Sequence, residues 1–200
     1  MNKNYLKILV IGNSSVGKSS IVETFVTEKF NEDIQSTIAY EFKKSNITIN
    51  DQDYPLAIWD TAGEEKFGAL TPIFYRACHG VLLVYDITNR TSFENITHWS
   101  DNVDKYSRQE DFHVIKLLVG NKLDLENEKR AVSPEEAISY AKKNGMLFLE
   151  TSARTNFQVK LAFQELVQKI IEQPNIFPDR VNGFRVDNSQ PPSQGGYCGC

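Results

Sequence analysis

The chain has 200 residues, 40% of them apolar and 24% charged, which suits one domain with one core. A net charge of −4 provides no basic field for sequence-independent contact with nucleic acid, so no nucleic-acid partner is expected. No run reaches the roughly 18 apolar residues of a membrane span, no signal peptide opens the chain, and three cysteines are too few for a disulfide framework, so a cytosolic protein is expected.

Apolar runs and helical patterns alternate from the start, the order of crossover units on a mostly parallel sheet. Leu6 to Gly12 reads as a strand, followed by a glycine-bearing loop and a helix from about Lys18 to Glu28. Ile47 to Ile49 and Leu56 to Trp59 flank the turn-like Asn50-Asp51-Gln52-Asp53, which predicts a hairpin and the one antiparallel interruption. Val81 to Tyr85 and Val114 to Val119 are continuous aliphatic runs of the kind found in central strands buried on both faces. Ser133-Pro134-Glu135-Glu136 combines an N-cap serine, proline at the first helical position and a capping-box glutamate, and Gly145 supplies the stop. Leu147 to Glu150 makes a last strand, and Ala162, Phe163, Leu166, Val167, Ile170 and Ile171 stripe a terminal helix ended by Pro174. The domain is therefore expected over residues 1–174, with 175–200 a flexible tail too polar and aperiodic to order itself.

Gly12-Asn13-Ser14-Ser15-Val16-Gly17-Lys18-Ser19 matches G-x-x-x-x-G-K-[ST] between a predicted strand and a predicted helix, the context that motif requires. Its glycines let backbone N–H groups approach phosphates, Lys18 brings a cation to the β and γ groups, Ser19 can ligate Mg²⁺, and the helix N-terminus adds a favourable field. Ser14, Ser15, Val16, Gly17, Lys18, Ser19 and Ser20 are thus candidate nucleotide contacts. Asn121-Lys122-Leu123-Asp124 follows a buried strand at the ligand edge of an open α/β sheet. A carboxylate at Asp124 can accept from N1–H and the exocyclic amine of guanine, a donor pair that adenine lacks. Ser152-Ala153-Arg154 follows the last strand at the same edge, where a backbone N–H near Ala153 can reach the guanine keto oxygen. Asp60 ends the second hairpin strand as a candidate Mg²⁺ group, normally through water, and Gly63 offers an N–H to the γ-phosphate.

These four segments, in this order and spacing, resemble a small GTPase of the Ras superfamily over residues 5 to about 174. Leu56 to Gly63, Phe74-Tyr75-Arg76 and Leu83 to Thr88 resemble recurring segments of the Rab branch. Leu70-Thr71-Pro72, Met146-Leu147-Phe148 and the helix around Glu165 to Ile171 are most similar to its eighteen-type subgroup. The resemblance implies an α/β P-loop NTPase fold: a six-stranded, mostly parallel sheet with one antiparallel strand and helices on both faces. It implies GTP and GDP with Mg²⁺ as ligands, and a switch acting in vesicle or organelle traffic. It also implies an exchange factor, a GTPase-activating protein, effectors, a GDP-dissociation inhibitor and a prenylation escort protein as partners. Carried over by position, Thr37 joins Ser19 and Asp60 at the metal, Phe30 covers the guanine, and Phe42, Trp59 and Phe74 form an effector-facing aromatic triad. Simple core packing is the alternative for Phe30, and without the resemblance all three triad residues read as core.

The sequence departs from the pattern at Glu64, where the family has the glutamine that orients the attacking water. An ionised carboxylate only accepts hydrogen bonds and brings negative charge toward a polyanion. Two outcomes stay open. Glu64 is repelled and the chain is a slowly hydrolysing, GTP-bound membrane scaffold, or its pKa rises beside the phosphates and it works with Lys18 and Gly63 in catalysis. Ala39-Tyr40 and Ala77-Cys78 also replace the usual Gly-Val and Gly-Ala, which alters surface shape rather than nucleotide chemistry. Cys78 reads as a buried small hydrophobe, and His79, His98 and His113 lack ligand spacing. Cys198-Gly199-Cys200 resembles the Rab ending that takes two geranylgeranyl groups, and two chains meet the requirement for stable anchoring in a tail without a polybasic run. The expected location is the cytosol, cycling to the cytoplasmic face of an intracellular membrane, with endoplasmic reticulum or lipid droplets suggested by the subgroup.

Overall fold

Strand β1 (Leu6–Ile11), β4 (Gly80–Asp86) and β5 (Ile115–Asn121) are the aliphatic runs of the sequence, and they need cover on both faces. The computed structural model, which describes residues 5–34, 37, 40–63, 72–107, 113–174 and 176, supplies that cover. Helix α1 (Lys18–Thr27) and a terminal helix (Val159–Ile171) pack on one face: Leu6, Ile8 and Val10 meet Ile21, Val22, Phe163 and Leu166. On the other, Leu9 and Ile11 share a core with Phe93, Trp99, Val103, Ala137 and Ala141. Burial of each such aliphatic side chain stabilises the fold by about 1.5–3 kcal/mol.

The second core is built on helices α2 (Arg90–Glu94), α3 (Ile96–Tyr106) and α5 (Pro134–Lys143), with the short α4 (Glu126–Lys129) before α5 and the terminal helix as α6. Helices α2, α3 and α4 are additions to the expected elements. Asn89 begins α2 with its side chain accepting from the Ser92 N–H, and Ser133 does the same for Glu136 at α5. No helix among the described residues is long and apolar enough to cross a membrane.

With β2 (Tyr40–Ile49), β3 (Gln52–Thr61) and β6 (Leu147–Glu150), the strands form one six-stranded sheet in the order β2-β3-β1-β4-β5-β6. Only the β2–β3 pair is antiparallel. The hairpin corrects the expectation in two respects: both strands are longer than expected, and its turn is the two residues Asn50 and Asp51, at φ 49° and 59°, with Gln52 already paired with Ile49. Positive φ at both positions matches the right-handed twist of the strands, and Asn and Asp tolerate it best after glycine. Glu64, Ala39, Leu70, Thr71 and, in the tail, residues 175 and 177–200 with Cys198 and Cys200 lie outside the described residues, whereas Ile176, expected in the tail, is buried in the first core.

Candidate nucleotide site

Because β1 lies between β3 and β4 in parallel register, the loop after Ile11 leaves the sheet at the strands' C-terminal edge. It delivers Gly17 as the N-cap of α1 at φ 94°, a left-handed conformation that a Cβ would strain, and that Cβ would also fall 2.3 Å from Asn121 Nδ2. No side chain caps α1 and no acidic residue stands in its first turn, whereas α5 has both. The start of α1 therefore keeps its N–H donors and its positive dipole end for an anion. Lys18 is buried there, with Nζ donating to the Asn13 carbonyl at 2.8 Å, and Ser14 and Ser15 face solvent while Val16 anchors the loop in the core. Ser20 follows in α1, half-buried.

Ser19, Thr37 and Asp60 come from three separate segments and meet. Ser19 Oγ lies 2.7 Å from Thr37 Oγ1, which donates to Asp60 Oδ2 at 3.3 Å. Asp60 is 1% exposed, and its other oxygen, Oδ1, has no partner. Burial pushes its carboxyl above the ordinary value, opposed by hydrogen bonds from Ser19 and Thr37 and by the charge of Lys18. A buried carboxylate oxygen without a partner beside two hydroxyls fits a hard divalent cation. Among the described residues no three His, Cys, Asp or Glu gather as a metal cage, and Mg²⁺ characteristically takes few protein ligands, with water and phosphate completing the shell.

At the other end, Asn121 is 2% exposed and holds three segments. Its Nδ2 donates to the Val16 carbonyl at 2.9 Å, and its Oδ1 accepts from Thr151 Oγ1 and from the Ala153 N–H, each at 3.2 Å. The Ala153 N–H expected for guanine is thus shared with Asn121 in this structure. Asp124 is exposed and accepts from Ser152 Oγ at 2.6 Å, which orients its carboxylate at the sheet edge. Lys122, in a left-handed conformation at φ 70°, is paired with Asp86 at 2.7 Å. Arg154 is exposed and lies 3.7 Å from Glu32, so it does not close on the site. Phe30 is half-buried and packs against the α1/α6 core.

Gly63 lies against the phosphate loop: a Cβ there would fall 2.3 Å from both Asn13 C and Ser14 N. Phe42 is 41% exposed and Trp59 and Phe74 are half-buried. Trp59 contacts both, at centroid distances of 5.1 and 5.8 Å. Tyr40, 46% exposed, completes the cluster against Trp59 and Phe74 at 5.3 and 4.8 Å. Cys78 is buried, with its thiol pushed up to about 12 by burial. His79 is held down at about 4 by burial and the Lys7 charge, while His98 and His113 are exposed. Asn13 and Thr151 stand inside segments singled out from the sequence but were given no role of their own, whereas Asp86 and Trp99 were missed, their only local signal being position at a strand end and on a helical stripe.

The fold and this edge define a P-loop GTPase. The sequence model of the Ras family matches residues 7–172, and the chain belongs to that family. It binds GTP and GDP with Mg²⁺ and hydrolyses GTP. It is 44% identical over 195 residues to the Ras-related protein Rab-18 of Caenorhabditis briggsae, covering 98% of this chain and 95% of that one. It is 42% identical over 198 residues to the Ras-related protein Rab-18-B of Danio rerio, with 96% and 95% covered. To the Ras-related protein RABC1 of Arabidopsis thaliana it is 46% identical over 178 residues, 88% of this chain and 82% of the relative. The chain is a switch of Rab type in membrane traffic, with regulators and effectors, cycling between cytosol and intracellular membranes.

Proposed function

We propose that Ser14 to Ser20 hold the phosphates, with Lys18 on the β and γ groups. Ser19, Thr37 and Asp60 hold Mg²⁺, which supplies charge neutralisation at the transferring phosphate. Asn121, Lys122, Asp124, Ser152 and Ala153 hold guanine, with Phe30 over the ring and Arg154 at its rim. The observation that carries this reading is the meeting of Ser19 and Thr37 at a buried Asp60 whose Oδ1 has no partner. In this reading a γ-phosphate holds or releases the loops of Thr37 and Gly63, and the face with Phe42, Trp59 and Phe74 is the surface whose shape follows. Partners of this cycle are an exchange factor, a GTPase-activating protein, a GDP-dissociation inhibitor and an escort that delivers the chain for geranylgeranylation at Cys198 and Cys200. The names of the Rab-18 relatives support the eighteen-type subgroup, and endoplasmic reticulum or lipid-droplet membranes are the destination this reading takes from the subgroup resemblance alone.

Glu64 is a working substitute for glutamine in this reading. Single-turnover GTP hydrolysis with Mg²⁺, run beside Glu64→Gln, tests it. Hydrolysis at least as fast as the variant supports the substitution. A protein that holds GTP while Glu64→Gln turns over is the long-lived, GTP-bound scaffold. Intact mass of the native protein tests the lipids: unmodified thiols at Cys198 and Cys200 would remove the anchor.

A further inference from the structure

We propose that Trp99 and Asn13 form a strut from α3 to the phosphate loop, and that this strut slows nucleotide release. Trp99 Nε1 donates to Asn13 Oδ1 at 2.8 Å across 86 residues of sequence. Trp99 is 5% exposed among Leu9, Ile96 and Val103. A phenyl ring would serve packing there, but an indole N–H is a donor that must find an acceptor when buried, and the acceptor it finds belongs to the phosphate loop.

The same peptide unit is engaged twice more. The Asn13 carbonyl accepts from Lys18 Nζ at 2.8 Å, and the Gly63 backbone sits so close to the Asn13–Ser14 peptide that one methyl group would collide with it. Asn13 therefore connects α3, the phosphate-binding lysine and the γ-phosphate-facing glycine. Phosphate binding through backbone N–H groups depends on the orientation of those peptides, and the Trp99 bond fixes the side chain of the residue that starts them. Trp99 is a positioning residue. It reaches the nucleotide only through Asn13.

The strut rests on reading Gly12 to Ser19 as the phosphate loop, and the experiment separates the two. Release of a fluorescent GDP analogue from the full chain with Mg²⁺, chased with excess GDP, is measured for Trp99→Phe, Asn13→Ala and the double variant. Each single change is expected to speed release about fivefold, the equivalent of one net hydrogen bond, and the double variant no more than either alone. Asn13→Ala alters a half-buried loop side chain and keeps the test independent of any packing loss at Trp99. Unchanged release in both single variants, or effects that multiply in the double, would overturn the strut. Lys18→Ala should lose nucleotide, and its failure to do so would overturn the phosphate-loop reading itself. As a spectroscopic check, Trp59→Phe leaves Trp99 as the sole tryptophan. Its emission should shift when EDTA strips the nucleotide, and should not if the indole N–H is indifferent to the loop.

Discussion

At the proposed guanine end of the site, Asn121, Thr151, Ser152 and Asp124 already satisfy one another, and Lys122 is paired with Asp86. At the phosphate end, α1 starts without a cap, Asp60 keeps a buried oxygen without a partner, and the bond from Thr37 to Asp60 is long at 3.3 Å. In the proposed reading, a planar base of fixed shape would meet a finished socket. A phosphate that comes and goes is met by groups that only the ligand completes. The two ends therefore contribute to stability with opposite sign: the base end holds the apo fold together, and the phosphate end strains it.

The largest expected effect comes from breaking the finished end. Asn121→Ala removes one donor and one shared acceptor, unties Val16, Thr151 and Ala153, and leaves the Ala153 N–H and the Thr151 hydroxyl buried. With about 1 kcal/mol for each of these bonds, all made without ligand, the nucleotide-free protein should melt several degrees lower, and guanine nucleotide should bind more weakly to the loosened socket. Titration calorimetry and thermal unfolding measure the two. Weakened binding at unchanged melting temperature would mean that the socket is completed by the base after all.

Asp60→Asn sharpens the comparison because its sign is reversed. Burial raises the folded-state pKa of this carboxyl, so whatever Asp60 contributes is fully present below its unfolded value of 3.8 and is lost as pH rises through the raised folded value. At neutral pH the ionised group is a burden in the metal-free protein. The amide removes that charge, so Asp60→Asn should stabilise the metal- and nucleotide-free chain by about 1 kcal/mol at pH 7. The gain should vanish below the unfolded value. The same variant should lose the tightening of nucleotide by Mg²⁺. Urea unfolding in EDTA at neutral and acid pH reads the first part, and destabilisation at pH 7 would contradict it.

The acid limb of stability should show a second, independent slope from His79. Its Nδ1 accepts from the Lys7 N–H at 2.9 Å, and its pKa lies at about 4 against an ordinary 6.5. The folded state favours the neutral ring, so stability present above 6.5 is lost as pH falls toward 4. Since the group is partly exposed, the loss should be on the order of 1 kcal/mol. His79→Gln should flatten that limb while leaving both ends of the nucleotide site unchanged, which a comparison of unfolding at pH 7 and pH 4.5 would check.

The finished and unfinished ends also differ in how far they could be read from the sequence. The phosphate loop is legible because its spacing encodes a backbone approach, and Asp124 is legible once a strand is placed before it. The Asn13–Trp99 contact is not, since only the packed α3 brings the two together. Helix α3 itself carries Ile96, Trp99 and Val103 at helical spacing, but Asn89 and Asn95 divide the segment into short pieces. Strand β2 looked short because Tyr40 to Asn46 is polar and largely exposed. Its extended state comes from the ten-pair ladder with β3, which no local signal announces.

The smallest expected effect on the fold falls on the aromatic face beside the phosphate end. Tyr40, Phe42, Trp59 and Phe74 touch ring to ring, yet Tyr40 and Phe42 are 46% and 41% exposed and Ile73 is 62% exposed. Tyr40→Val and Phe42→Ala remove contacts at the edge of this cluster rather than in a sealed core, so each should cost less than about 1 kcal/mol in unfolding. Single-turnover hydrolysis should stay within about twofold, because the ring contacts of Tyr40 and Phe42 are with Trp59, Phe74 and Lys44. A loss of several kcal/mol would make these rings a core that happens to show at the surface. A small loss leaves the exposed apolar area without a folding role, and large aromatic surface kept in water with so little return to the fold is the signature of a site that a partner covers.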